Sequence, residues 1–244
     1  MSSPLCAILD SVCVPSLSIS RVDTVEMQVR QGIFEGVYLP GTPLRELSLA
    51  RELSVSQATV RGALQRLEHS GLVTRRANLG SSVTRLSPND VKERVELRAM
   101  LEVLAANAAA KLMGEPEFAG LERLLQALDS AVESNRYYES AQADLEFHRY
   151  IWHCSGNETL CRHLELLATP LFAFISILRS QGLERLLTVV EAHAPLIAAL
   201  RTGDSFQIQV AFTKVATSAY GAFVDHGHNR TVASAYGLLD SARR

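Results

Sequence analysis

Four cysteines in 244 residues, Cys6, Cys13, Cys154 and Cys161, form no Cys-x-x-Cys pair and are too sparse for a disulfide scaffold. The sequence therefore reads as a protein of a reducing, cytosolic compartment. Cys154 and Cys161 lie seven positions apart, on one helical face or across a helix junction, and core packing suits them. No run approaches the roughly 20 uninterrupted apolar residues that a membrane span requires. Residues 1–20 lack a basic segment and carry Asp10 within their apolar part, which argues against a secretory signal and for a flexible leader. Positive charge is not in excess either. With 24 Lys+Arg against 26 Asp+Glu the net charge is −2, so any DNA contact must come from a local surface.

What is present is apolar residue in quantity: 47% of the chain is hydrophobic, enough for two ordinary cores. Residues 1–86 hold 9 Lys+Arg against 7 Asp+Glu, and the remainder holds 15 against 19. The asymmetry is mild, and its direction suits an N-terminal DNA binder with an acidic partner domain. Ser87-Pro88-Asn89-Asp90 marks the boundary, because Ser87 can cap a helix and Pro88 suits its first turn. The expected organisation is a leader at 1–20, a DNA-binding domain at 21–86, a helical domain at 87–228 and a tail at 229–244.

Val25, Val29, Ile33 and Val37 recur at four-residue steps and predict a first helix, stopped by Leu39-Pro40-Gly41-Thr42-Pro43. A second helix runs from about Arg45 to Leu53, burying Leu49 and Leu53. After the short turn Ser54-Val55-Ser56, Ser56 is a good cap for a third helix, whose buried stripe is Val60, Ala63, Leu64 and Leu67 and which Gly71 ends. Gln57, Ala58, Thr59, Arg61 and Gln65 fall on faces that the core does not need. Leu72-Val73-Thr74 and Ser82-Val83-Thr84 are β-prone around Arg75, Arg76 and the turn-formers Asn78 and Gly80. Together these make a winged helix-turn-helix, which offers one helix to the DNA major groove; a plain three-helix unit with a hairpin is the alternative.

This segment resembles the DNA-binding domain of the GntR superfamily of bacterial regulators, typically L-x-E-x-x-L-A-x-x-L-x-V-S-R-x-P-V-R-E-A-L-x-x-L-x-x-x-G-L-V. Leu44, Glu46, Leu49, Ala50, Leu53, Val55, Ser56, Val60, Arg61, Ala63, Leu64, Leu67, Gly71, Leu72 and Val73 fall in register. Departures concentrate on the DNA-facing side: Gln57 where Arg is usual, Thr59 for Pro, Gly62 for Glu, Leu47 for Arg, and Ala77-Asn78-Leu79-Gly80 for Pro-Asn-Arg-Gly. Each lost arginine removes a candidate phosphate or guanine contact, so weaker or unusually specific DNA binding is expected. The expected contacts are Arg45, Ser56, Gln57, Thr59, Arg61, Arg75, Asn78 and Gly80, with Gln57 able to read adenine and Arg61 guanine or backbone.

Beyond residue 87 no strand alternation appears. Val91, Val95, Met100, Leu101, Leu104 and Ala108 stripe a long helix ending near Gly114, and further helices are predicted over 118–132, 141–153, 160–178, 183–200 and 206–223. The fold class is thus mainly α: a winged helix-turn-helix followed by an all-α bundle with room for a pocket. Asp144 and His148 share a helix face, and His193 lies on another helix. A carboxylate and imidazoles converging inside a bundle suit a divalent metal, although a histidine on an apolar face is more often a core residue.

The pattern Asp-x-x-x-His, then Ser155-Gly156-Asn157, then His193 through Asp204 resembles the FCD domain of the FadR subfamily. The resemblance implies a ligand-sensing domain with a metal held by one Asp and three His, and a pocket-facing Arg98. The third histidine should fall at 215, where this chain has Val215. Either three ligands, Asp144, His148 and His193, hold one zinc-like ion with an open position, or the site is metal-free and Arg98, His148 and His193 bind an anion directly. Arg98, Asp144, His148, Asn157 and His193 are the expected effector residues. The expectation is a cytoplasmic homodimeric repressor that binds double-stranded operator DNA under control of a small organic acid. The competing readings are a metal-dependent hydrolase using the same three residues and a degenerate regulator acting through protein partners.

Overall fold

The computed structural model describes residues 20–134, 136–180 and 187–225. Cys6, Cys13, nearly all of the expected leader and the expected tail lie outside the described residues.

Ser20 and Asp23 form a reciprocal capping box that starts α1, Arg21–Phe34. Val25, Val29, Ile33 and Phe34 are buried, whereas Val37, expected on the same stripe, is 68% exposed because the helix has already ended. β1 (Pro43–Leu44), α2 (Glu46–Glu52), α3 (Gln57–His69), β2 (Val73–Arg76) and β3 (Gly80–Val83) complete a winged helix-turn-helix. The sheet order is β1-β3-β2, all antiparallel, with Leu44 opposite Ser81 and Val73 opposite Val83. β1 adds an edge strand that the sequence reading took for a loop; two residues are too short to carry an alternation signal. Ser54 turns the chain between α2 and α3 at φ 54, an uncommon conformation outside glycine.

Ser87 and Asp90 form a second capping box, with Pro88 in the first turn of α4, Pro88–Ala109. Then follow α5 (Glu115–Glu133), α6 (Tyr137–Cys154), α7 (Glu158–Ser180), α8 (Leu187–Thr202) and α9 (Ser205–Asp225). α4 corrects the sequence reading most sharply. Its buried stripe is Val91, Val95, Arg98, Glu102, Ala105 and Ala109, while Met100 is 70% exposed and Leu104 56% exposed. Two of the eight buried positions, which also include Ala99 and Ala106, are charged, so apolar periodicity marks Val91 and Val95 correctly and then strays to Met100 and Leu104.

α7 has the length and apolarity of a membrane span over Glu158–Arg179, but 72% of that window is buried inside the protein, as befits a central core helix. It also joins the two halves. One apolar cluster runs from Val25, Val29, Phe34 and Leu67 of the winged unit to Leu145, Leu164, Ala168 and Phe172 of the bundle. Where α3 ends, Gly71 sits at φ +75, and a Cβ there would lie 2.9 Å from the Leu166 carbonyl oxygen and 3.1 Å from Pro170. Pro170 stands inside α7 and has no N–H to offer the carbonyl four residues earlier, that of Leu166. Arg94 of α4 donates to that oxygen and to Leu167 O, both at 3.3 Å. The end of the recognition helix is thus seated on the one interruption in α7.

Gly71→Ala is expected to cost about 2–4 kcal/mol, since it combines backbone strain with a steric contact that only a main-chain shift relieves. Gly80, at φ +78 with nothing within 4 Å of its added Cβ, provides the control. Gly80→Ala should cost only about 1 kcal/mol, the strain alone. Chemical denaturation of the two variants checks the difference.

Candidate DNA-reading face and buried polar site

The sequence places α3 as the presented helix, and its first turn is tied by its cap. Ser56 Oγ accepts from Thr59 N at 3.1 Å and lies 2.8 Å from Thr59 Oγ1. Gln57 and Arg61 are exposed and adjacent to Glu46, the first residue of α2. Gln57 Nε2 donates to Glu46 Oε2 at 3.0 Å. Arg61 donates from Nη2 to the same oxygen at 2.8 Å and from Nε to both carboxylate oxygens at 3.2 Å. The Arg61 hydrogen bonds hold the Glu46 carboxyl below its ordinary range against a small effect of burial, with Gln57 and the positive charge of Arg75 contributing. Arg45 is exposed at the N-cap of α2, and its side chain makes no capping bond. Arg75 lies on β2, and Asn78 (φ 63) and Gly80 shape the exposed wing tip, where Leu79 is 76% exposed. Glu46 matches the family pattern, but no spacing rule pairs it with both Gln57 and Arg61, 11 and 15 residues away.

The second site lies inside the bundle. α6 contributes Asp144 and His148 one turn apart, and α8 brings His193 to them. His193 Nε2 lies 3.0 Å from Asp144 Oδ1 and 3.2 Å from His148 Nε2, and His148 Nε2 lies 3.7 Å from Asp144 Oδ1. All three residues are buried. Tetrahedral zinc with bonds of 2.0–2.1 Å needs ligand atoms about 3.3 Å apart, so this trio fits such an ion. The surroundings support the fit. Glu102 Oε1 lies 3.0 Å from His148 Nδ1, a carboxylate beside the ring nitrogen that faces away from the other two ligands, although the two are not aligned as a hydrogen bond.

Arg98 completes the picture. Its guanidinium donates to Glu102 Oε1 (3.2 Å) and to Tyr220 Oη (3.4 Å), approaches His148 Nε2 at 3.3 Å and stacks 4.6 Å from the centre of the Phe172 ring. Trp152 Nε1 donates to Glu102 Oε1 at 3.3 Å, and Arg179 stands 3.8 Å from Asp144. Burial opposes ionisation of Glu102, yet Arg98 and His148 outweigh it and hold the carboxyl at about 2. Asp144 is likewise depressed, burial being overcome by His193, His148 and Arg179. Burial pushes His148 down despite Glu102, and pushes Tyr220 up to about 12. Among the described residues, Glu102 Oε2, Asp144 Oδ1, His148 Nδ1 and Arg179 Nε are buried without a hydrogen-bond partner, so the cluster retains polar capacity.

The structure therefore brings Arg98, Asp144, His148 and His193 together but not Asn157. Asn157 is exposed, and its Oδ1 accepts from Leu160 N at 3.0 Å, capping the start of α7. Val215 is partly buried against the apolar cluster of Phe147, Leu196 and Phe212 and offers no ligand. Glu102, Trp152, Phe172, Arg179 and Tyr220 were missed. The legible signal was the Arg98–Glu102 step of four, in phase with Val91 and Val95. A separate cavity of about 640 Å³ opens between the end of α3 and the bundle, lined by His69, Arg149, Trp152, His153, His163 and Leu166 among others.

Comparison with known proteins follows this division. Residues 21–83 match the family model described as bacterial regulatory proteins, gntR family, and residues 93–218 match the FCD domain. The chain is 30% identical over 167 residues to the "Uncharacterized HTH-type transcriptional regulator YdhC" of Bacillus subtilis, covering 68% of this chain and 74% of that one. It is 29% identical over 194 residues to the "Probable D-xylose utilization operon transcriptional repressor" of Paenarthrobacter nicotinovorans, covering 78% and 81%. Among solved structures, McbR/YncC of E. coli superposes with a TM-score of 0.72 at 22% identity, over 86% of this chain and 99% of that one.

Because Arg98 and Glu102 neutralise each other in a dry interior, Arg98→Met is expected to cost about 3–5 kcal/mol by stranding the carboxylate, and Arg98→Met/Glu102→Gln to recover part of that loss. Denaturant titration of both variants measures it. Glu102 and Asp144 are depressed acids, so their contribution is complete above the ordinary carboxylate range and is lost as pH falls. For Glu102 the window runs from about 4.5 down to about 2. Unfolding free energies at steps between pH 7 and pH 2 should decline through it, and less steeply in the double variant.

Proposed function

Since the chain belongs to the gntR family of bacterial regulatory proteins, carries an FCD domain and is a transcriptional regulator, not an enzyme, we propose that a small organic acid binds beside Arg98, Asp144, His148 and His193 and thereby sets its affinity for operator DNA. The protein works as a cytoplasmic homodimer whose two α3 helices address the two halves of a near-palindromic site, because a two-fold protein matches a two-fold sequence. The effector's influence on DNA affinity equals its differential affinity for the two arrangements of the winged units.

The observation that carries this reading is the reach of α7. Its first half bears Leu166 and Pro170 against Gly71 at the end of α3, and its second half bears Phe172 against Arg98 and Arg179 against Asp144. A ligand that draws Arg98 or Arg179 toward itself pulls on the same helix that seats the recognition unit. Pro170 makes that helix yield at one place, since the hydrogen bond it lacks is supplied from outside by Arg94.

Asp144, His148 and His193 are the residues that would hold a divalent ion, and such an ion supplies a Lewis acid for an oxygen of the effector. Arg98 pairs with the carboxylate, as a planar guanidinium does best. Glu102, 3.0 Å from His148 Nδ1, is the carboxylate that would orient that ring.

Gel-shift titration against the DNA upstream of the chain's own gene is expected to give a retarded complex that weakens as salt rises; no complex at low salt would sink the proposal. A panel of small carboxylates should then shift the midpoint, and the shift should disappear in Arg98→Met. Elemental analysis of protein purified without a metal-affinity tag should find an ion that Asp144→Asn loses, and a content near zero in the wild type would remove the metal from the scheme. Pro170→Ala should slow amide exchange over residues 167–174 and shrink the carboxylate effect on DNA affinity; an undiminished effect would remove α7 as the transmitting element.

A further inference from the structure

We propose that Glu46 is the specificity-setting residue of the DNA-reading face: its carboxylate holds Gln57 and Arg61 as one unit, withholds Arg61 from indiscriminate phosphate contact and presents the held pair to base edges. This rests on the reading of α3 as the DNA-contacting helix. Arg61 is half exposed at 51%, whereas Glu46 is only 22% exposed, so the carboxylate is the fixed partner and the guanidinium the one it positions. The Nε and Nη2 donors of Arg61 are both turned to Glu46, as is the amide nitrogen of Gln57. The bonds to Glu46 leave the Nη1 end of the guanidinium and the amide oxygen of Gln57 for other partners. The pair thus presents a definite donor and acceptor to a groove instead of two freely rotating side chains.

Charge gives the arrangement its selectivity. A phosphate approaching Arg61 meets the Glu46 carboxylate behind it, so the net attraction of the pair for a generic backbone is small. A base edge carries no net charge, is not repelled by Glu46 and gains from donors held in place. Random-sequence binding is suppressed while base reading is retained. Reduced arginine content elsewhere on this face, with Leu47, Gln57 and Leu79 in arginine positions of related sequences, leaves Arg61 as a large share of the charge that Glu46 must control.

The test is Glu46→Gln in the full-length protein, which preserves shape and removes the charge. Two probes are used: duplexes selected by the wild type from a randomised library, and random-sequence duplexes of the same length. Binding to random duplexes should strengthen, and the slope of its log affinity against log salt should steepen by about 0.9, the signature of one further phosphate neutralised. The ratio of selected to random affinity should fall about tenfold or more. An unchanged slope together with an unchanged ratio overturns the role of Glu46. Gln57→Ala gives the second readout, since it should lower the ratio while leaving the slope within error, and a steepened slope there would overturn the division of labour. Thermal melts of both variants, expected within a few degrees of wild type, exclude unfolding as the cause. Should the wild type bind neither probe at low salt, the DNA-reading premise itself fails and the inference with it.

Discussion

Two guanidiniums and two carboxylates closed off from water govern this bundle. Arg98 and Arg179 face Glu102 and Asp144 in a volume where each residue is at most 5% exposed, and an uncompensated charge there would cost several kcal/mol. Compensation demands that α4, α6 and α7 meet at one depth, and Tyr220 and His193 bring α9 and α8 to the same point. Helix register in the bundle is therefore set by polar contacts as firmly as by apolar ones.

The bundle is continuous with the winged unit through one helix. α7 is apolar enough to form the core, yet its middle is broken by a proline whose missing hydrogen bond is replaced by a side chain from α4. The recognition helix ends at that break. α7 touches the buried polar cluster through Phe172 and Arg179 and the end of α3 through Leu166 and Pro170. The apolar cluster shared by the two halves keeps the winged unit from swinging as an independent body.

How far the sequence could be read depended on the chemistry of each position. The winged helix-turn-helix was legible because its buried stripe, Val60, Ala63, Leu64 and Leu67, is uniformly apolar and its caps, Ser56 and Ser87, act locally. On α4 the same approach failed: Arg98 and Glu102 point inward, so Met100 and Leu104 were assigned to a core that they do not enter. Asp144 and His148 were found because four residues apart on a helix is a local relation, and His193 because its flanking pattern is familiar. Glu102, Arg179 and Tyr220 join the cluster only through tertiary packing, which no spacing rule encodes. Asn157 stands apart for the opposite reason, since its side-chain oxygen caps the start of α7 locally.

Gly71 bears on how such proteins can be rebuilt. Regulators made of a reading part and a sensing part invite exchange of one part for another, with the cut placed in the stretch before Ser87. Here that cut separates Gly71 from Leu166 and Pro170, which lie almost a hundred residues away in sequence but in contact in space. A chimera joined there would inherit a reading head shaped for a seat that the new sensor lacks. A workable exchange would transplant the first half of α7 with the winged unit, or would choose a sensor that already carries a proline and an open carbonyl at that depth.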